Sequence, residues 1–196
     1  MKEILFIGNP NVGKTTLFNT LTSSNAKTGN FHGVTVDEKI KTVKFYGTEF
    51  KCVDLPGIYS MTPNSYEEEV SINYILNHQD ANIVVVAQSN ALQKNLLLLY
   101  ELCELERNII LFVNKMPKGG IIDVKKLEEN LKIKVIFANA KNKNETEKLK
   151  EYIFQNNFYN NKINIKLNSN LLNLKNKIPN NNLSKNMLEF FVYKAY

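Results

Sequence analysis

The run Gly8-Asn9-Pro10-Asn11-Val12-Gly13-Lys14-Thr15-Thr16 has the residue types and spacing to hold a chain of phosphates. It fits G-x-x-x-x-G-K-[ST], the phosphate-binding P-loop. Its glycines let the backbone curl so that successive N–H groups point inward at an anion. Lys14 then reaches the β- and γ-phosphates and the Thr15 hydroxyl ligates Mg²⁺. A second set, Asp54-Leu55-Pro56-Gly57, is a D-x-x-G. An acidic residue at such a strand end holds the magnesium shell, and the glycine amide meets the γ-phosphate. Each pattern alone also describes an ordinary glycine-containing turn, the second with a solvated Asp. Their pairing about 40 residues apart makes phosphate binding the better reading.

These residues need elements that bring them together. The apolar run Ile4-Leu5-Phe6-Ile7 predicts a short buried strand ahead of the loop, and 16–21 behind it has helical spacing. A strand-loop-helix is the context the motif requires, because the helix adds its positive N-terminal end to the anion cradle. Residues 23–35 are polar and without period and read as a loop. Alternating runs over 39–45 and 49–53, joined around Tyr46-Gly47, predict a hairpin. Ser65-Tyr66-Glu67-Glu68 has the form of a capping box and predicts a helix to about residue 77. Strands over 82–87, 108–113 and 134–138 then alternate with helices over 91–106, 123–131 and 145–154, with Asp123 as an N-cap. The alternation predicts a doubly wound, mostly parallel α/β sheet of six strands, one of them antiparallel. Ligands of such sheets sit at the carboxyl ends of the strands, where the P-loop, Asp54 and Asn114 all fall.

Composition narrows the function classes. The chain has 196 residues and a formal charge of +6, but six of its 25 basic residues and one of its 19 acidic residues lie in 155–196. Residues 1–154 are therefore almost neutral, and no basic groove interleaved with aromatics points to nucleic acid. The Asn- and Lys-rich tail reads as compositional drift more readily than as a lipid or nucleic-acid surface. No apolar run approaches the ~20 residues of a membrane span. A strand begun by Ile4 leaves no room for a signal peptide, and Cys52 and Cys103 are isolated, so a soluble chain in a reducing cytoplasm is expected. Beyond 154, an extended piece over 162–167, a short helix over 171–178 and a second helix over 185–196 suggest a small helical appendage; the plainer reading of the last is a C-terminal helix docking on the domain.

Taken together, these residues resemble a Ras-like P-loop G domain, and specifically the N-terminal cytosolic domain of the FeoB family of ferrous-iron transport proteins. Gly8 to Thr15 resembles the family's first box. Asn30-Phe31-His32-Gly33-Val34-Thr35-Val36-Asp37 is similar to its Asn-Trp-Pro-Gly-Val-Thr-Val-Glu switch I, and Asp54-Leu55-Pro56-Gly57-Ile58-Tyr59-Ser60 to its switch II. Ser65 to Val70 resembles it too. The resemblance covers residues 2 to about 154 and divides the chain into a G domain over 1–154 and a truncated helical appendage over 155–196.

The resemblance implies a GTPase that binds GTP or GDP with Mg²⁺ and is activated by K⁺. Thr35 joins Thr15 and Asp54 at magnesium and senses the γ-phosphate. Asn11 resembles the potassium-binding Asn of cation-activated relatives, where a monovalent cation supplies the charge an arginine finger otherwise brings; its plainer role is a hydrogen bond within the loop. Lys14, Thr35, Gly57 and Asn11 carry catalysis. Asn9, Val12, Gly13 and Thr16, with Asn30, Gly33 and Val34 of switch I, complete the phosphate contacts. After Gly57 comes Ile58, where Ras-like enzymes that orient water with a side chain carry Gln. Backbone groups or another residue must then position the water, which implies slow hydrolysis.

The base-reading box departs from the pattern. The superfamily has Asn-Lys-x-Asp, whose Asp accepts hydrogen bonds from guanine, and here the sequence is Asn114-Lys115-Met116-Pro117. Proline offers no such acceptor, and Asp123 is better explained as a helix cap. Asn114 can still bond the purine N7 and Lys115 can pack over the ring. Asn139-Ala140-Lys141 is similar to the Ser-Ala-Lys box that offers a backbone N–H to O6. The resemblance implies a regulatory GTPase on the cytoplasmic face of the membrane. Its partners are a permease portion of the same polypeptide, a small FeoA-like protein and further copies of the chain, and no nucleic acid. A nucleotide-binding interaction module with degenerate base specificity is the alternative, followed by a soluble Era-like GTPase. Iron enters through the resemblance alone, since His32 and His78 are isolated and neither Cys has a ligand partner.

Overall fold

The computed structural model describes residues 1–22, the backbone of 27–29, and residues 39–159. Asn30, Gly33, Val34 and Thr35, and the appendage from residue 160 onward, lie outside the described residues. The order of elements is β1 (Lys2–Gly8), α1 (Lys14–Thr22), β2 (Lys27–Gly29), β3 (Lys39–Phe45), β4 (Thr48–Asp54), α2 (Tyr66–Asn77) and β5 (Asn82–Gln88). A 3₁₀ turn (Ser89–Ala91) then leads to α3 (Leu92–Glu104), β6 (Ile109–Asn114), α4 (Val124–Leu131), β7 (Lys134–Ala138) and α5 (Lys143–Phe154).

The strands form one sheet in the order β2-β3-β4-β1-β5-β6-β7. All six expected strands are present, and β3 alone runs against the rest, being antiparallel to both β2 and β4. The seventh strand, β2, falls where the sequence reads as loop. It pairs Lys27, Thr28 and Gly29 with Thr42, Lys41 and Ile40. Ladder hydrogen bonds join backbones, so a three-residue edge strand needs no side-chain alternation that a sequence could reveal.

Strand periodicity sorts the core onto two faces. From β1, Ile4 and Phe6 join Leu17, Phe18 and Leu21 of α1 and Leu149 and Ile153 of α5. Leu5 and Ile7 point the other way, into a cluster with Ile72 and Ile75 of α2 and Leu98, Leu99 and Leu102 of α3. Phe6 and Phe18 meet edge-on, with ring centroids 5.5 Å apart. Each such fully buried side chain contributes about 1.5–3 kcal/mol. The chain order reverses about β1: β4 lies on one side and β5 on the other, so the carboxyl end of β1 is the topological switch point.

The helix starts follow their caps. Ser65 accepts from the Glu68 amide at 3.2 Å and Asp123 from the Lys126 amide at 3.0 Å. Asn142 accepts from the amides of Asn144 and Glu145, which starts α5 two residues ahead of the expected 145. Among the described residues, no helix is long and apolar enough to cross a membrane.

Arg107 holds the opposite end of the sheet. Its buried guanidinium donates to the carbonyls of Ile75 (2.8 Å) in the last turn of α2, of its cap His78 (2.5 Å) and of Ala81 (3.1 Å) in the loop that follows, so the helix end and that loop share one donor. Burial pushes its pKa down to about 10, which keeps it charged at neutral pH. Arg107→Met should cost about 3 kcal/mol in urea denaturation by stranding these carbonyls. Arg107→Lys should recover only part of that, because an ammonium cannot fork to the same acceptors.

Candidate functional site

At the carboxyl end of β1 the backbone bends through Asn11 (φ 65°) and Gly13 (φ 92°) before α1 begins. Left-handed residues in such a turn aim amides inward, and the first N–H groups of α1 add donors with no helical acceptor. The Val12 side chain is buried and anchors the loop to the α1 side of the core. Glycine is obligatory at position 13: beyond the positive φ, a Cβ there would lie 2.4 Å from the Asn114 amide nitrogen.

Asp54 ends β4, placed opposite Phe6 by the β1–β4 register. Its two carboxylate oxygens are divided between P-loop residues. Oδ1 pairs with the Lys14 ammonium, and Oδ2 accepts from the Thr15 hydroxyl at 2.7 Å. Lys14 and Asp54 are both buried. Beside them lies a cavity of about 500 Å³ lined by Asn9, Pro10, Asn11, Gly13, Lys14, Thr15, Thr16 and Gly57. The lining offers backbone amides, an ammonium and a hydroxyl, the donor set of a polyanion site. The Asn9 side-chain oxygen is buried here with no hydrogen-bond partner among the described residues.

The stretch after β4 is fastened along its length. The Ile58 amide donates to the Gly8 carbonyl at 3.1 Å, and a Cβ on Gly57 would come within 2.9 Å of the Pro10 backbone. Ile58 is fully buried in the core, so its side chain does not face the phosphate cavity at all. Buried carboxylates from the helices hold the rest. Glu68 accepts from the amides of Asn64 (2.7 Å) and Tyr59 (3.4 Å), and Glu101 from Met61 (2.5 Å), while the Ser71 hydroxyl donates to the Pro56 carbonyl. Glu68 thus completes only half of its capping box, its carboxylate being directed to this loop.

Asn114, at the end of β6, links this region to two further loops. Its amide donates to the Val12 carbonyl at 3.0 Å and its oxygen accepts from the Ala140 amide at 3.0 Å. Lys115 pairs with Glu145 at 2.7 Å, its ammonium 5.3 Å from the centre of the Phe137 ring. The Met116 amide donates to the Ser89 hydroxyl at 3.0 Å. In the other loop, the Lys141 amide donates to the Asn139 side chain at 2.9 Å and the Asn139 amide to Glu145 at 3.0 Å. Hydrogen bonds from Lys115 and then from the Asn139 amide hold the Glu145 carboxyl below the usual carboxylate range.

The expected residues of the P-loop, Asp54, Gly57, Asn114 to Met116 and Asn139 to Lys141 are therefore assembled at one end of the sheet, while Asn30, Gly33, Val34 and Thr35 are not described. All three amides of Asn139, Ala140 and Lys141 have acceptors within the chain. Ser89, Glu101 and Glu145 were not among the expected site residues. Their partners lie 27, 40 and up to 30 residues away, beyond any local pattern. Cys52 and Cys103 are buried, which pushes both thiols up to about 12 and removes them as nucleophiles at neutral pH.

The family model described as Ferrous iron transport protein B matches residues 2–153. The Fe(2+) transporter FeoB of Methanocaldococcus jannaschii is 47% identical over 103 residues, 53% of this chain and 15% of that transporter. The solved cytosolic domain of L. pneumophila FeoB has a TM-score of 0.86 at 28% identity, covering 99% of this chain and 88% of that one. An S. thermophilus NFeoB mutant bound to GDP has a TM-score of 0.75 at 30% identity, covering 100% of this chain and 79% of that one. The close approach of Asn114 to Gly13 is open to direct measurement. Gly13→Ala should displace Asn114 and weaken binding of inorganic tripolyphosphate more than about tenfold by calorimetry, with the helical circular dichroism retained.

Proposed function

Because this chain belongs to the ferrous iron transport protein B family, we propose that it binds GTP and hydrolyses it slowly, as the regulatory G domain of a ferrous-iron permease carried on the same polypeptide. The observation that carries this reading is Asp54, whose carboxylate is shared between Lys14 and Thr15 beside the P-loop cavity. The binding of GDP by the S. thermophilus relative supports the choice of a guanine nucleotide. We assign the G domain to 1–154 and the start of a helical appendage to 155–196.

Phosphates entering the cavity would compete with Asp54 for Lys14, whose charge then faces the β- and γ-oxygens. Thr15 and Asp54 are oxygen donors already side by side, which suits Mg²⁺, an ion that uses one or two carboxylates and fills its shell with phosphate oxygens and water. When bound, it supplies charge neutralisation at the phosphates. Thr35 is proposed as a further ligand. The Gly57 amide is the group we assign to the γ-phosphate, and burial of Ile58 leaves water positioning to backbone groups or another residue, consistent with slow turnover. Asn11 borders the cavity and is the proposed potassium ligand.

At the base end, Asn114 and Lys115 and the Asn139-Ala140-Lys141 loop are proposed to meet the purine. One of the three engaged amides must then exchange its internal acceptor for O6. Pro117 supports a second reading, a module of relaxed base preference, because position 117 offers no carboxylate to the guanine edge.

Titration of fluorescent GTP, GDP, ATP and XTP separates the two. The parent should prefer GTP to ATP modestly, and Pro117→Asp should strengthen GTP alone by roughly 10- to 100-fold, the worth of hydrogen bonds to a charged acceptor. Equal affinity of the parent for GTP and ATP would overturn guanine preference. Phosphate release should be slow, faster in K⁺ than in Na⁺, and absent in Lys14→Ala; parent release no greater than that variant's in either salt would remove the hydrolase assignment.

A further inference from the structure

Glu145 stands where the loops after β6 and β7 meet. Its Oε2 receives both the Lys115 ammonium at 2.7 Å and the Asn139 amide at 3.0 Å, and its Oε1 receives the Asn142 side-chain amide at 3.0 Å. The ordinary role of an acid three residues after a cap is to close a capping box on the cap's own amide. Here that amide is taken, since Asn142 N–H donates to the Asn139 carbonyl at 3.0 Å. The carboxylate instead passes beyond its own helix to a strand-end loop and to a lysine 30 residues away. Two positions in the loop after β6 that could have supplied a carboxylate do not: position 117 is proline, and Asp123 is committed to the Lys126 amide.

Building on the nucleotide reading above, we propose that Glu145 is the positioning residue of the base end of the site. By gathering Lys115 and the Asn139 amide on one carboxylate, it fixes the separation of the two loops that receive the nucleobase. An isolated ion pair this exposed would have little effect, but one acceptor shared by donors from two loops sets a geometry that neither loop holds alone. Asn114, buried between the same loops, is held by the Val12 carbonyl and the Ala140 amide, a set of bonds separate from those of Glu145, so the P-loop keeps its own support when that carboxylate is removed.

The test compares GDP with inorganic tripolyphosphate, which lacks a base, by calorimetry on the full chain. Glu145→Ala should weaken GDP about tenfold and tripolyphosphate less than about twofold. Glu145→Gln, isosteric and still an acceptor for Asn139 but without charge for Lys115, should fall between. Lys115→Ala with Glu145→Ala should be no weaker for GDP than Lys115→Ala alone by more than about twofold, the non-additivity of residues acting as a unit. Equal weakening of both ligands, additive losses, or no change in the GDP-to-tripolyphosphate ratio would overturn the assignment. Should Glu145→Ala fail a thermal-melt check, Glu145→Gln carries the comparison. A parent that binds tripolyphosphate but not GDP would overturn the nucleotide reading and this one with it; a parent that binds both, with a ratio indifferent to Glu145, overturns this one alone.

Discussion

A lysine ammonium and a carboxylate can remain buried in a protein of this size only if each compensates the other, and the pairing of Lys14 with Asp54 is the constraint on which the rest of the architecture depends. Lys14 opens α1 and Asp54 closes β4, so their contact requires β1 and β4 to be neighbours in one register, with Phe6 opposite Asp54. A one-residue slip would turn Asp54 to the other face of the sheet and leave two uncompensated charges. The apolar alternation of β1 and β4 enforces the same register from the core side, with Leu5, Ile7 and Val53 on one face and Ile4, Phe6 and Cys52 on the other. Packing and electrostatics therefore select one arrangement, and it is also the arrangement that concentrates donors at the switch point.

The surrounding loops are held by a different means. Buried polar side chains bond the loop backbones: on the stretch after Asp54 Glu68 accepts two amides and Glu101 one, and Asn114 joins the Val12 carbonyl of the P-loop to the Ala140 amide. Loop amides buried without acceptors would each cost about 1–3 kcal/mol, so these side chains are what permit irregular backbone so close to the core. They also make the loop after Asp54 depend on α2 and α3, so that any shift of those helices is felt at Gly57.

How legible all this is in the sequence depends on the range of the interaction. Gly8 to Thr15 and Asp54 to Gly57 are readable because their chemistry is local and tolerates few substitutes. The buried strands are readable from apolar runs, and Ser65 and Asp123 from capping geometry. What escapes are contacts whose partners are close only in the folded chain. Glu145 opens one predicted helix and Glu101 lies within another with no local pattern to mark either, yet the first joins two loops and the second is buried on the Met61 amide. Strand β2 escapes because three residues have no period. Ile58 illustrates a subtler case: its inability to orient water is readable, but that its side chain turns into the core is not.

The two ends of the site thus rest on unequal foundations. At the P-loop end, the proposed phosphate site rests on a buried ion pair and on a glycine whose Cβ would meet Asn114, so a change there disturbs contacts on which the register of β1 and β4 or the place of Asn114 depends. At the base end, Lys115 and Glu145 are partly exposed and the residues between β6 and α4 bear little of the core. Just ahead of Pro117 this loop is held by Ser89 on the Met116 amide and by Glu145, reaching over from α5, on the Lys115 ammonium. On the proposed reading, a change at the base end would therefore leave the P-loop contacts in place, whereas a change at Lys14 or Asp54 would strand a buried charge.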